Sequence, residues 1–297
     1  VYLDFTKKRL EDYTDQSLNT LYKVFSDVNI LGNSFANDSN ELNKSFYNEL
    51  LHIIGLEETK DKGKKVIYRK DEGKRDYASF LENAIFKLED QDHLSKVTNY
   101  TEDKAFNVGL TLCLTWVNRI LFLKLLESQL KTYHPDEKEK YSFLNTKFIS
   151  GFDDLNDLFF SALARDIKDR HPKFKDKYQH IPYLNSSLFE RNDLETDTIE
   201  ISSLNDEKIE VYKTTVLKEN GKRFKGKLNT LDYLFKFLDA FDFATDGTEG
   251  ISDEEESKTL INASVLGMIF SALVALSNAS ATSWVIVIFI SSAISFS

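Results

Sequence analysis

Two stretches of the sequence stand out as basic segments on an acidic chain, each with a large excess of Lys and Arg over acids. Residues 60–75, KDKGKKVIYRKDEGKR, hold eight Lys and Arg against three acids, and residues 216–228, VLKENGKRFKGKL, hold five against one. Each contains glycines and an aromatic, Tyr68 in the first and Phe224 in the second. Cations on short flexible segments suit phosphodiester oxygens, because each contact displaces condensed counterions and needs no base edge. Lys62, Lys64, Lys65 and Arg69, together with Lys222, Arg223, Lys225 and Lys227, are therefore the candidate DNA-phosphate contacts. The chain as a whole is acidic, with a net charge of −10. That argues against indiscriminate coating of nucleic acid by the whole surface and confines contact to local faces. Ordinary solvated surface charge is the competing reading of both stretches.

Other chemistry has less to stand on. Acid-lysine triplets of the E-x-K kind serve metal-dependent nucleases, in which the carboxylates hold Mg²⁺ and the lysine polarises the phosphate or water. Such triplets occur here, among them Glu58-Thr59-Lys60, Glu72-Gly73-Lys74 and Glu256-Ser257-Lys258. None follows an apolar strand bearing a preceding Asp, and Glu72 with Lys74 is the best of them. No two glycines stand as G-x-G, so phosphate-cradling and dinucleotide fingerprints are missing, and G-x-S-x-G is missing too. The five histidines are scattered; His171 and His180 share a basic loop and read as solvated residues rather than metal ligands. Cys113 is the single cysteine, which rules out an internal disulfide and fits a reducing, cytoplasmic setting. It lies in the most apolar part of the chain, without a neighbouring His, as a small buried hydrophobe would.

The elements that must position these groups are mostly helical. With 11 Gly and 3 Pro in 297 residues, turns are too sparse for an all-β fold. The pattern predicts a mainly α fold carrying one or two small β-hairpins. NDSNELNKSFYNELLHIIGLEE places Leu42, Phe46, Leu50, Ile53 and Ile54 on one helical face, with Asp38 or Ser39 as cap and Gly55 as the left-handed stop. Residues 60–75 read as a short β-ribbon or exposed loop, followed by a helix near 79–89. Residues 107–134 are apolar nearly all round from Leu110 to Leu126, which predicts a central buried helix ended by Pro135. FDDLNDLFFSALARDI is another helix, residues 168–180 are a basic polar connector, and IPYLNSSLFE is extended. TIEISSLNDEKIEVY alternates around NDEK and predicts a hairpin. VLKENGKRFKGKLN is a glycine-containing basic loop, and NTLDYLFKFLDAFDF is an aromatic helix capped by Asn229 or Thr230.

Several strings, in order, resemble a known family: SFANDSNELNKSFYNELLHIIGLEE, NRILFLKLLESQL, FDDLNDLFF, IPYLNSSLFE, LDYLFKFLDAFDF and KTLINASVLGMIF. From about residue 1 to 270 the chain resembles the middle of bacterial type IIG restriction-modification enzymes. Those are single chains joining an endonuclease, a helical connector, an adenine-specific DNA methyltransferase and a target-recognition domain. The resemblance implies an exit segment from a nuclease (residues 1–33), a helical connector (34–245), an acidic linker (246–258) and the start of a methyltransferase (259–270). It also implies, for a parent enzyme, methyl transfer from S-adenosylmethionine to adenine N6 and Mg²⁺-dependent DNA cleavage. The family's D…E-x-K core lies upstream of a segment like VYLDFTKKRLEDY, and so would precede Val1. Its Asn-Pro-Pro-Tyr motif, which holds the flipped adenine, has no counterpart, because the only prolines are Pro135, Pro172 and Pro182. Residue 271 is Ser where the family carries Glu. No catalytic, S-adenosylmethionine-binding or metal-binding residue is therefore carried over, and the expected role of this region is that of a structural connector touching DNA phosphates, with neither reaction of its own.

Two other readings compete. One is a free-standing interaction or membrane-anchored module using the uncharged run from Thr259 to Ser297. The run is broken by Ser, Asn and Thr at 277–283 and lacks a basic flank, whereas a span needs about 20 mainly apolar residues; the stretch 271–297 reads instead as an aberrant tail, and a membrane partner is not expected. The other is a divergent nuclease built on Glu72 and Lys74.

Overall fold

The computed structural model describes residues 43–61, 64–90, 93–98, 103–184, 186–243, 260–261 and 266–267. All of them fall within the unit Leu42–Ser297. The segments read from sequence as exit segment, acidic linker and apolar tail lie outside the described residues. The fold is mainly α with small antiparallel strand pairs, as the sequence pattern predicts.

Helix α1, Lys44–Ile54, begins at Asn43, whose Oδ1 accepts from the Phe46 amide. The structure thus sets the cap at Asn43 rather than at Asp38 or Ser39. Its far end is Gly55, with φ 105° and its amide bonded to Leu51 O. A Cβ there would also lie 2.5 Å from Ser79 Oγ, so both the left-handed backbone and the close approach require glycine. Strands β1 (Leu56–Asp61) and β2 (Lys64–Arg69) then form the antiparallel ribbon, in register from Leu56↔Arg69 to Asp61↔Lys64. Helix α2, Phe80–Asp90, packs on α3.

Helix α3, Lys104–Tyr133, is the axis of the domain. Leu112, Leu114, Trp116, Ile120, Leu121 and Leu123 have no exposed surface, which accounts for the lack of a polar face in the sequence. Among the described residues it is the one helix long and apolar enough to cross a membrane, yet 89% of that apolar window is buried inside the protein, as in a core helix. Cys113 is fully buried in it and burial pushes the thiol pKa up. Helix α4, Phe152–Asp157, continues through a wider π-type turn, Leu158–Leu163, that turns Phe159 and Phe160 toward α3. Short helices α5 (Pro172–Tyr178) and α6 (Asp193–Asp197) follow. The expected extended stretch 181–190 is interrupted by a 3₁₀ turn, Ser187–Phe189.

The predicted hairpin across NDEK does not form. Ile201–Ser203 is a 3₁₀ turn, and strand β3, Lys208–Glu210, pairs instead with the later strand β6, Lys227–Asn229. The reason lies in tertiary contacts. Asn83 Nδ2 donates to Asn205 O, and the Asn205 amide donates back to Asn83 Oδ1, at 2.8 and 3.3 Å. Asp206 Oδ1 accepts from the Leu231 amide and so caps helix α7, Thr230–Asp239. Asn229 occupies the cap position but its side chain makes no capping bond. NDEK is therefore a junction pinned to α2 and α7. Between β3 and β6 lies a second hairpin, β4 (Lys218–Glu219) with β5 (Lys222–Arg223). After α7, β7 (Asp242–Phe243) pairs in parallel with β8 (Leu260–Ile261).

Candidate nucleic-acid interface

The second basic stretch is ordered as a hairpin where a loop was expected. Asn220 and Gly221 both take positive φ, 52° and 73°, the geometry of a type I′ turn whose twist matches the flanking strands. The Phe224 amide donates to Leu217 O and the Val211 amide to Gly226 O, both at 2.9 Å, which ties the hairpin to the β3–β6 pair. Phe224 tucks against the core. Lys222, Arg223, Lys225 and Lys227 are all exposed. Arg223 is steadied by Nε, which donates to Thr215 O at 3.1 Å.

The first basic stretch is a ribbon, but its cations divide. Lys62 lies outside the described residues, as do the side chains of Lys64 and Lys65, whose backbone belongs to β2. Arg69 is structural: Nε and one Nη donate to the two carboxylate oxygens of buried Glu82, each at 2.8 Å. A guanidinium held by a fork-to-fork pair is committed to that partner. Glu72 and Lys74 sit exposed on a single 3₁₀ turn, where Lys74 pairs with Asp71 at 2.9 Å and Glu57 at 3.8 Å. Among the described residues no three His, Cys, Asp or Glu side chains are grouped to hold a metal ion. Among the described residues Glu72 therefore belongs to no grouping of metal-ligand side chains of the kind the nuclease reading calls for, and the carboxylates beside Lys74 pair with its ammonium.

What joins the two stretches is α1, through two side chains that sequence reasoning passed over. Glu49 is fully buried, and no described Lys, Arg or His forms an ion pair with it. Its carboxylate accepts from Tyr233 Oη at 2.7 Å, from the Val216 amide at 2.9 Å and from Thr215 Oγ1. Tyr233 Oη in turn accepts from the Tyr212 amide at 3.0 Å. Burial, followed by the charge of Glu49, raises the Tyr233 pKa, so the phenol stays protonated and donates. Glu49 thus grips the root of the basic hairpin.

One turn further along, His52 Nε2 lies 2.7 Å from Glu210 O and Nδ1 lies 3.1 Å from Lys70 Nζ. The carbonyl can only accept, so Nε2 carries the proton and Nδ1 accepts from the lysine. His52 therefore bridges the end of the first ribbon to β3, the partner of the strand that carries Lys227. Burial, then the charge of Lys70, lowers the His52 pKa to about 4, while Glu210 O and Asp76 pull weakly the other way. Burial likewise lowers the Lys70 pKa against the opposing charges of Asp76, Glu57 and Glu82.

Because His52 is held neutral, the unfolded chain binds its proton more readily than the folded one. The stabilisation is complete above the unfolded pKa of 6.5 and is lost as pH falls toward 4. The loss is at most about 3 kcal/mol. Urea midpoints measured from pH 7 to pH 4 should fall more steeply for the native protein than for His52→Gln; parallel profiles would show that His52 is not held neutral.

The arrangement is thus an α-helical body with a rigid cationic hairpin mounted on one of its helices. The chain belongs to the family described as a domain of unknown function, DUF7814, whose model matches residues 39–261. It is also similar, at 24% identity over 285 residues, to a protein of Methanocaldococcus jannaschii named as a "putative type II restriction enzyme and methyltransferase". That alignment covers 90% of this chain and 20% of the relative, so the chain spans about a fifth of the length of the curated relative it matches. No solved structure matches it.

Proposed function

We propose that this domain is the DNA-touching connector of a restriction-modification enzyme, with the β4–β5 hairpin as its principal phosphate contact. The observation that carries the reading is the hairpin and the strand that follows it: four exposed cations, Lys222 and Arg223 on β5, Lys225 after it and Lys227 on β6, beside a turn of fixed geometry anchored to α1 by a buried carboxylate, on a chain whose net charge is −10. The similarity to a protein named as a restriction enzyme and methyltransferase supports the same class of role. In the whole enzyme, methyl transfer from S-adenosylmethionine to adenine N6 and Mg²⁺-dependent cleavage of unmodified DNA, in the cytoplasm, are the reactions this reading entails. The residues described here do not fit either cofactor. They include no glycine-paired loop and no grouping of metal-ligand side chains, so no chemical step is assigned to this domain. Its work is mechanical: a stiff body built on the 30-residue helix α3 holds partner domains at a set separation and register on the duplex.

The test is the salt dependence of binding to a duplex of about 30 base pairs, read by fluorescence anisotropy. Lys222→Ala, Arg223→Ala, Lys225→Ala and Lys227→Ala combined should lower the slope of log K against log salt by roughly 3 to 4, one phosphate contact contributing about 0.9. Affinity should fall about equally for unrelated sequences, as expected for backbone contacts. An unchanged slope would remove the hairpin from the interface.

A further inference from the structure

Beyond the hairpin, the basic connector read at 168–180 remains without a role, and its cations continue back to Arg165: residues 165–177, RDIKDRHPKFKDK, hold six basic residues against three acids. Its shape is set by an unusual tie. Arg170 is 2% exposed and spends its hydrogen bonds on carbonyls rather than on a carboxylate: Nε donates to Ala162 O and Arg165 O, Nη1 to Tyr178 O at 2.7 Å and Nη2 to Ile181 O at 2.9 Å. One guanidinium thereby closes the chain from 162 to 181 into a fixed platform. Burial penalises the charge of Arg170, and the nearby Asp166 offsets only part of that penalty, so packing of the core gives no evident reason for Arg at this position. Preservation of the loop's shape does.

The other five cations, Arg165, Lys168, Lys173, Lys175 and Lys177, point out of this platform as exposed residues. Two are partly engaged: Lys177 pairs with Asp154, and Lys175 donates to Lys168 O at 3.1 Å. Arg165, Lys168 and Lys173 make no ion pair with a described residue. Lys173 Nζ lies 5.2 Å from the centre of the Phe174 ring, and Lys177 Nζ lies 5.5 and 5.3 Å from those of Phe148 and Tyr178. Ring contacts of this kind limit the freedom of the lysine stems while leaving the charge at the surface. Ordered ammonium groups lose less entropy when they meet an anion.

We propose that the Arg170 platform is a second phosphate-binding surface for duplex DNA, separate from the hairpin, through Arg165, Lys168 and Lys173. The proposal rests on the reading of the domain as a DNA-touching connector, which favours a polyphosphate over an acidic polypeptide as the partner. A connector that holds two domains in register on a duplex gains from two contacts, because a single one leaves the body free to pivot.

The experiment uses the 297-residue chain and the same duplex assay between 50 and 200 mM NaCl, with polyglutamate as competitor. Arg165→Ala, Lys168→Ala and Lys173→Ala combined should lower the salt slope by roughly 2 to 3 without changing the melting temperature. Asp169→Asn with Asp176→Asn, which removes negative charge from the same face, should raise affinity severalfold and provides an arm that survives if the alanine variant folds poorly. An unchanged slope in the alanine variant together with unchanged affinity in the asparagine variant would overturn the platform. If the hairpin variant alone lowers the slope, the connector reading stands without the platform; if neither does, both fall. Displacement of DNA by polyglutamate at equal charge concentration would overturn the assignment to phosphate and point to an acidic polypeptide.

Discussion

Arg119→Met should lower stability by about 3–5 kcal/mol, a shift in melting temperature on the order of 10 °C for a domain of this size. Arg119 lies in the middle of α3, 1% exposed. Its Nη1 and Nη2 donate to the two oxygens of Glu195 at 2.5 and 2.8 Å, Nε donates to Leu188 O at 2.6 Å and Nη2 also to Glu190 O at 2.8 Å. The guanidinium lies 5.1 Å from the centre of the Phe160 ring and 5.6 Å from that of Phe159. Glu195 is committed as well, accepting from Trp116 Nε1 at 2.9 Å and, in a capping box, from the Asn192 amide at 3.2 Å. Removal of the arginine strands a buried carboxylate and two carbonyls. That desolvation penalty, rather than the attraction of the pair, is what the large value measures. Arg119→Met with Glu195→Gln should recover a substantial part of the loss, since the stranded group is then neutral. Additive losses in the double-mutant cycle, or a single-variant loss below about 1 kcal/mol, would refute the account.

This network also explains why some strings of the sequence stay together. NRILFLK supplies Arg119, FDDLNDLFF the two phenylalanines, and NSSLFE the two carbonyls. Three of the strings that carry the resemblance to restriction-modification enzymes therefore converge on one buried guanidinium, which makes them a packing unit rather than a reaction centre. The helices themselves were legible because burial imposes a 3.6-residue period on α1 and α7 and near-continuous apolarity on α3. What periodicity could not give was partnering. Strand β3 reads as half of a local hairpin, and only Asn83 on α2 and the cap of α7 by Asp206 explain why it pairs some twenty residues later. The Asn220–Gly221 pair was a hairpin signal in plain view between Lys218-Glu219 and Lys222-Arg223; it passes for a loop because strands this short carry no alternation. The site was half legible. Lysine density marks the exposed hairpin, but density cannot distinguish Arg69, clamped by Glu82, from a free cation. A charged residue on an apolar stripe is the signal that would have found the anchors, as Glu49 lies three residues after Phe46 and one before Leu50.

Glu49→Leu is the second substitution with a large expected effect, about 3–5 kcal/mol, and its consequences should be local before they are global. The variant leaves Tyr233 Oη, Thr215 Oγ1 and the Val216 amide without their shared acceptor, each buried donor costing about 1–3 kcal/mol when it loses its partner. All three lie at the root of the basic hairpin or on α7 beneath it, whereas α3 shares none of them. Amide hydrogen exchange should therefore accelerate first across 212–229, with α3 keeping its protection. Tyr233→Phe removes a single donor and also the acceptor for the Tyr212 amide, so it should cost only about 1–2 kcal/mol and produce the same regional pattern in a protein that stays folded. DNA affinity should drop in both variants although no cation has been touched, because a hairpin that wanders must be ordered again on binding. Uniform exchange across the whole domain in Tyr233→Phe would show that Glu49 supports the core at large rather than the hairpin. Retained DNA affinity with a loosened hairpin would separate the anchor from the interface.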